Sequence, residues 1–345
     1  KYSAVQVYWT GSAEGRPPAA VDAPPRLCEN RAMHLNDRAQ RLVNNLLADA
    51  AALGVALPGD DPTPVIDCGV HAVGGLEAGR QLAEICLAGL GRVEFGAGLA
   101  DVWQGPWVSV QTDHPVAACL ASQYAGWAIG GKDYFAMGSG PMRAAYGKEE
   151  LFGNIGLRET PSAAVGILEA SALPPQEVAT EIATKCGVNA EALTLLVAPT
   201  NSLAGCVQIA ARSVETAMHK LHELKFDLTR VVSGWGTAPL PPVAKNALAG
   251  IGRTNDAILY GAHAVLYVRD DDDTLAKVGA ELPSSSSADH GRPFAEIFKA
   301  YNHDFYKVDK LLFSPAVVTL NNLDTGRVHR FGRFEPAVLK QSFGV

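Results

Sequence analysis

The chain has 345 residues, and its 29 Lys and Arg against 36 Asp and Glu give a formal net charge of −7. This acidic balance argues against a nucleic-acid-binding protein whose affinity comes from phosphate contacts. Hydrophobic residues make up 48% and charged residues 19% of the chain, which predicts a packed core rather than a disordered chain. The six cysteines form no C-x-x-C pair, and no apolar run of about 18 residues occurs. We therefore expect a cytoplasmic protein with reduced thiols that does not bind membranes.

The first 33 residues are rich in Pro, Gly and Ala and show neither a helical nor a strand period. We interpret residues 1–33 as a flexible or extraneous tail, with Met33 as a plausible native start. From Asn36 the pattern becomes regular. Asn36 can cap a helix with apolar residues at helical spacing, and Gly54 can end it in the left-handed conformation.

The remaining elements follow from hydrophobic periodicity and turn residues. Strands are predicted at 65–68, 107–112, 134–137, 163–168 and 193–198, from 231 onward, over 257–268, and as a hairpin of 317–320 with 326–331. Helices are predicted at 76–90, 115–127, 174–187, 203–224 and 293–301. Strands and helices alternate without a repeat, which indicates an α/β (α+β mixed) fold. We expect two lobes, 34–160 and 161–345, with the active site in the cleft between them.

A glycine-rich turn lies at Gly138, Ser139 and Gly140 and leads to Arg143. Between a strand and a helix, backbone N–H groups of such a turn can bind an anion. The turn lacks the third glycine of a dinucleotide site and the Lys of a phosphate-binding loop, so a small phosphate or carboxylate fits better than NAD. The alternative is a tight turn that only needs a positive φ angle.

Arg212 and Glu215 are three residues apart on the predicted helix 203–224, opposite its apolar stripe. Residues at this spacing lie one helical turn apart and can form an ion pair. On most helices such a pair is solvated and contributes only a few tenths of a kcal/mol. If this face borders a cleft, Arg212 can instead orient Glu215, which can then take a proton from water.

Other polar groups give weaker signals. Asp113 precedes a helix and is more often a cap than a base, and the acidic run at 270–273 is most simply a solvated loop. Arg292 can meet an anion or only flank a helix start. Trp235, between two glycines, can stack on a flat ring or simply pack. No Ser-His-Asp order supports a serine nucleophile.

Seven strings in this order resemble the methenyltetrahydromethanopterin cyclohydrolase family over about residues 36–333. They are TDHP at 112–115, FAMGSGP at 135–141, PTNS at 199–202, ARSVET at 211–216, SGWGTAPLPP at 233–242, GRTND at 252–256 and GRPF at 291–294. No single string is decisive, but their joint occurrence in order is highly specific. Residues 1–32 resemble nothing in that family.

The resemblance implies a two-lobed α/β enzyme that opens the methenyl bridge of a reduced pterin C1 carrier with water, giving the N5-formyl product. The family's catalytic arginine and glutamate match Arg212 and Glu215. At the position of Trp235, relatives in this family often have a tyrosine. The resemblance also implies a homo-oligomer and no metal or cofactor, because the methenyl bridge is already an electrophilic cation.

We further assign Lys132, Gly138, Ser139, Gly140, Arg143, Trp235 and Arg292 as substrate contacts. Two alternatives stay open at this stage. One is a dinucleotide-dependent oxidoreductase that uses the turn at Gly138, and the other is a non-catalytic pterin-binding protein.

Overall fold

Two mixed sheets organise residues 33–59 and 61–345, the part of the chain that the computed structural model describes. The predicted tail, residues 1–33, lies outside this part except for Met33. The mixed α/β class predicted from the sequence is confirmed. The strands are β1 (Val65–Asp67), β2 (Gly91–Gly96), β3 (Trp107–Thr112), β4 (Trp127–Gly130), β5 (Phe135–Ser139), β6 (Ala164–Glu169), β7 (Leu193–Val197), β8 (Val231–Pro239), β9 (His263–Val268), β10 (Val317–Asn322) and β11 (Val328–Gly332).

The five-stranded sheet has the order β1-β7-β6-β5-β4, and its first three strands are parallel. The six-stranded sheet has the order β11-β10-β9-β8-β3-β2, in which the β9–β10 pair alone is parallel. Each sheet takes strands from both sides of residue 160. The sheets therefore do not follow the predicted division into 34–160 and 161–345, and residues 34–345 cluster as one unit.

Helices cover the faces of both sheets. They are α1 (Leu35–Ala48), α2 (Ala50–Leu53), α3 (Leu76–Cys86), α4 (Met142–Tyr146), α5 (Glu150–Ile155), α6 (Gln176–Cys186), α7 (Leu203–Ala210), α8 (Ser213–Glu223), α9 (Ala247–Gly261), α10 (Asp272–Glu281), α11 (Phe294–Ala300) and α12 (Pro336–Phe343). Residues Val116–Gln123 form a π-helix, called the π segment below. No helix in the described ranges combines the length and the apolar character needed to cross a membrane.

Several local predictions are confirmed. Strand β3 spans the predicted residues and alternates in burial along most of its length. Gly54 and Gly187 end α2 and α6 with φ angles of +64° and +71°. Glycine adopts this left-handed conformation at no steric cost, which is why it marks helix ends in the sequence.

Other elements differ from the predictions. Residues 257–261 are the end of α9 rather than a strand, and Trp127 begins β4 rather than ending a helix. Asn36 lies inside α1, where its side-chain amide donates to the Pro141 carbonyl and accepts from the Val165 N–H, both at 3.0 Å. The predicted helix 203–224 is two helices, α7 and α8, separated by Ala211 and Arg212.

The connection between α7 and α8 passes from one sheet to the other. Helix α7 packs against α3, which belongs with α1 to the apolar core on one face of the five-stranded sheet. Helix α8 packs on β8 and β9 of the six-stranded sheet through an apolar stripe that includes Val214, Ala217 and Leu221. Gly234 and Gly236 in β8 permit this close approach, because a Cβ on Gly236 would lie 2.3 Å from the Ser213 hydroxyl.

Candidate active site

Arg212 lies at the N-cap position of α8, directly after the end of α7. At the break between the two helices, the Ala211 carbonyl accepts a hydrogen bond of 3.2 Å from the Gln123 side chain. The Arg212 side chain extends toward the five-stranded sheet, where it contacts Ser139 of β5 and Glu169 of β6. The alternative of a solvated helix face does not hold, because only 6% of the Arg212 side chain is exposed.

The Arg212 guanidinium is held by one residue from each of four other elements, namely α7, β6, β5 and the π segment. Its Nη2 donates to Gln208 Oε1 at 2.9 Å, Glu169 Oε1 at 3.0 Å and Ser139 Oγ at 3.2 Å. Its Nη1 donates to the carbonyl of Gln123. These contacts fix both the position and the plane of the guanidinium, as a rigid fork of donors allows.

Glu215 lies on the first turn of α8 and is 4% exposed. Its Oε2 is 3.9 Å from Arg212 Nη1, and no described residue donates a hydrogen bond to its carboxylate. Burial raises the pKa of Glu215 to about 7, although the Arg212 and Arg143 guanidinium groups oppose the shift. A carboxyl group with this pKa exchanges a proton readily near neutral pH.

Glu169 was not identified from the sequence, yet it forms the shorter ion pair with Arg212. It is the last residue of β6, and it also accepts a hydrogen bond of 3.0 Å from Gln208 Nε2. A signal was available, because Glu169 follows five buried residues at the carboxyl end of a parallel strand. Ligand sites of α/β sheets form preferentially at these strand ends.

The π segment and α3 add weakly polar groups around Glu215. Burial strongly raises the pKa of the Cys119 thiol and raises that of Cys86, and the negative charge of Glu215 adds to both shifts. The Tyr124 ring stacks on His219 at a centroid distance of 4.5 Å, and burial lowers the pKa of His219 to about 4. These groups are therefore uncharged at neutral pH.

Arg143 is fully buried and serves the fold around this site. Its guanidinium makes a two-point ion pair with Glu149, at 2.9 and 2.6 Å, and donates to the Leu120 carbonyl at 2.8 Å. It also lies over the rings of Tyr124 and Phe152. Because these partners surround it, Arg143 supports the π segment, and all three guanidinium nitrogens are engaged within the fold, which does not favour the direct substrate contact assigned from the sequence.

The glycine-rich turn is also internal. Gly140 has a φ angle of +88° and donates its N–H to the Ser122 carbonyl at 2.8 Å, while its own carbonyl accepts from the Arg143 N–H. Gly138 is buried against Ile129 and Met142. The structure therefore favours the tight-turn interpretation over an anion cradle. Ser139 alone contributes a side chain to the cluster, through its contact with Arg212.

The structure does not bring three predicted substrate contacts to Arg212 and Glu215. Lys132 is exposed in the turn between β4 and β5, and Arg292 is 47% exposed with a single ion pair of 3.5 Å to Asp289. Trp235 alternates along β8 with Gly234 and Gly236, which face α8, so its ring points from the opposite face of the sheet. There it borders a concavity of about 360 Å³ with Trp107, His263 and Phe334 among its lining residues.

No group of three His, Cys, Asp or Glu side chains within residues 33–59 and 61–345 is arranged to hold a metal ion. The chemistry that the described side chains can supply is proton transfer by Glu215 beside a fixed guanidinium. A buried carboxyl group with a pKa near neutrality, next to an oriented cation, is typical of enzymes that use general acid–base catalysis.

Comparison with known proteins identifies the family. The chain belongs to the cyclohydrolase (MCH) family, whose model matches residues 34–343. A methenyltetrahydromethanopterin cyclohydrolase of Methylobacillus flagellatus is 49% identical over 90% of this chain and 95% of its own. The protein of the same name from Rhodopirellula baltica is 52% identical over 81% of this chain and 86% of its own. The protein of the same name from Methanospirillum hungatei is 42% identical over 90% of this chain and 98% of its own length. The resemblance noted in the sequence is thereby confirmed.

Proposed function

We propose that this protein hydrolyses the methenyl bridge of 5,10-methenyltetrahydromethanopterin to N5-formyltetrahydromethanopterin, as part of C1 metabolism. The observation that carries the proposal is Glu215, a buried carboxyl group with a pKa raised to about 7 and without a hydrogen-bond donor in the described structure. The names and high identities of the relatives support the choice of substrate.

The reaction needs a base and an acid but little other activation. The methenyl bridge is an amidinium cation, so its carbon is already electrophilic. Water adds to this carbon and loses a proton as the carbon becomes tetrahedral. The C–N10 bond then breaks, N10 gains one proton, and the hydroxyl group on the same carbon loses its proton to solvent as the formyl C=O bond forms, so the overall reaction releases one proton. One carboxyl group can accept the first proton and return it to the nitrogen, and a group with a pKa near 7 favours both steps at neutral pH.

In this mechanism Glu215 is the general base and then the general acid. Its Oε2 lies 3.9 Å from Arg212 Nη1, which is too long for a hydrogen bond and leaves the carboxylate oxygens available to a water. The Arg212 guanidinium cannot move closer to the Glu215 carboxylate, because Gln208, Glu169 and Ser139 hold its Nη2. We propose that this fixed guanidinium orients the attacking water and stabilises the ionised form of Glu215.

We place the pterin in a cleft beside the α7–α8 connection, where residues of both sheets meet. Glu169, with 15% of its side chain exposed, lies on the more accessible side of the cluster. Ser139 is the one residue of the glycine-rich turn retained in this site. The proposed enzyme uses no metal or bound cofactor, and its assembly as a homo-oligomer in the cytoplasm stays a prediction.

The dinucleotide-dependent alternative is less well supported. It required free backbone N–H groups at the turn of Gly138 and Gly140, and the N–H of Gly140 is bonded to Ser122. A non-catalytic pterin-binding protein differs from the proposed enzyme by the fate of the substrate, so a kinetic experiment separates the two.

The experiment follows the absorbance of the methenyl pterin after addition of the purified protein in buffer of low nucleophilicity. We expect the absorbance to decay at a rate proportional to the protein concentration, and reaction in ¹⁸O-labelled water to place the label in the formyl group. Decay no faster than in buffer alone would contradict the proposed activity. Binding without decay would instead support the non-catalytic alternative.

A further inference from the structure

Glu169, rather than Glu215, is the carboxylate bound directly to Arg212. Its Oε1 lies 3.0 Å from Arg212 Nη2 and accepts from Gln208 Nε2 at the same distance. Gln208 Oε1 in turn accepts from Arg212 Nη2 at 2.9 Å. The three side chains thus form a closed hydrogen-bonded ring, and the pair between Arg212 and Glu215 is longer by 0.9 Å.

The charged and titratable groups near Glu215 come from several elements. Arg143 on α4 is engaged by both carboxylate oxygens of Glu149. The remaining neighbours are neutral at pH 7, because burial raises the pKa values of the thiols and the phenol and lowers that of the imidazole. These are Cys86 on α3, Cys119 and Tyr124 from the π segment and its end, and His219 on α8.

The cluster consequently contains two guanidinium groups and three carboxylates. Glu149 neutralises Arg143, and Glu169 neutralises Arg212, so Glu215 is the carboxylate without a cation of its own. A buried and unbalanced carboxylate takes up a proton more readily than a paired one. It also favours binding of a cation, which the amidinium ring of the proposed substrate supplies.

We propose that Glu169 is a positioning residue that neutralises Arg212 and holds it away from Glu215, so that Glu215 stays basic enough to accept a proton from water. This inference rests on the proposed function for the role of Glu215. It assigns no contact between Glu169 and the reacting atoms.

Replacement of Glu169 by glutamine removes the negative charge of the side chain and keeps its shape. The amide oxygen of Glu169→Gln can still accept hydrogen bonds from Arg212 and Gln208, but the negative charge is lost. Glu215 then becomes the nearest carboxylate to Arg212, and its proton affinity falls. Glu169→Asp keeps the charge on a side chain shorter by one methylene, and we expect it to restore most of the parent's behaviour.

The first experiment measures kcat/KM for methenyl-pterin hydrolysis against pH. For Glu169→Gln we expect the acidic limb of the profile to move to lower pH by about one unit and the plateau to fall about tenfold, since a weaker base accepts the proton less readily. Glu169→Asp should bring the limb back toward the parent's position. The control is Glu181→Gln, which removes the same charge from an exposed pair with Lys185 on α6 and should leave the profile unchanged.

The second experiment does not depend on turnover. Infrared difference spectra against Glu215→Gln report the protonation of Glu215 directly, in the parent and in the Glu169 variants. If the parent fails to hydrolyse the methenyl pterin, the proposed function fails, while the infrared titration still tests Glu169. An unchanged Glu215 titration in Glu169→Gln would overturn the inference. If that variant does not fold, an unchanged titration in Glu169→Asp together with a tenfold loss of activity would also overturn it.

Discussion

Replacement of Arg143 by alanine should destabilise the protein strongly, because this guanidinium is buried and bound on every side. It makes two hydrogen bonds with Glu149 and one of 2.8 Å with the Leu120 carbonyl, and the side chain has no exposed surface. Removing one partner of a buried ion pair costs about 3–5 kcal/mol. Glu149 is 16% exposed and can recover some hydration, so we expect a loss of about 3–4 kcal/mol in the free energy of unfolding.

Equilibrium unfolding in urea, followed by tryptophan fluorescence and circular dichroism, measures this loss. The matched control is Arg292→Ala, which removes the same charge at a side chain that is 47% exposed and should change stability by less than about 0.5 kcal/mol. A free energy of unfolding for Arg143→Ala within about 1 kcal/mol of the parent would refute the argument. It would show that Arg143 is not a structural support of the π segment and would restore it as a candidate substrate contact.

Three further predictions follow from the structure. Asp67→Asn should lower the free energy of unfolding by about 3 kcal/mol, because the carboxylate accepts four backbone N–H groups at 2.7–3.0 Å and an amide cannot accept all of them; urea unfolding with a change below about 1 kcal/mol would contradict this. Trp235→Ala should keep kcat within about twofold, because the ring points away from α8; a tenfold loss would place Trp235 in the site. Because burial raises the pKa of Glu215 in the folded protein to about 7 from its ordinary value of 4.5, its contribution to stability is present below pH 4.5 and is lost as the pH rises through 7. Glu215→Gln should thus be more stable than the parent at pH 8 by up to about 3 kcal/mol, with little difference at pH 4.5; equal stabilities at pH 8 would contradict the raised pKa.

Features set by local physics could be predicted from the sequence. Gly54 and Gly187 mark helix ends because few other residues adopt a positive φ angle easily. The alternation in 107–112 predicts β3 because one face of the strand is buried and the other partly exposed. The three-residue spacing of Arg212 and Glu215 is likewise a local signal, and the structure places these side chains 3.9 Å apart.

Features set by distant contacts could not be predicted in this way. The apolar stripe of 203–224 continues through the break at Ala211, where the Ala211 carbonyl accepts its hydrogen bond from Gln123, 88 residues earlier. The pairing of Arg212 with Glu169 spans 43 residues and required the sheet order. Arg143 and the glycine turn resemble a ligand site in the sequence, because their partners, such as the Leu120 carbonyl 23 residues before Arg143 and the Ser122 carbonyl, have no local signature.

The central claim is that the Glu215 carboxylate performs the proton transfers of the hydrolysis. The most direct test compares the rate of methenyl-pterin hydrolysis by the parent and by Glu215→Gln at neutral pH, with binding of the formyl product measured in parallel. We predict that Glu215→Gln folds, binds the product and loses kcat by about 100-fold or more, the usual contribution of a positioned acid or base. A Glu215→Gln protein with the kcat of the parent would contradict the claim.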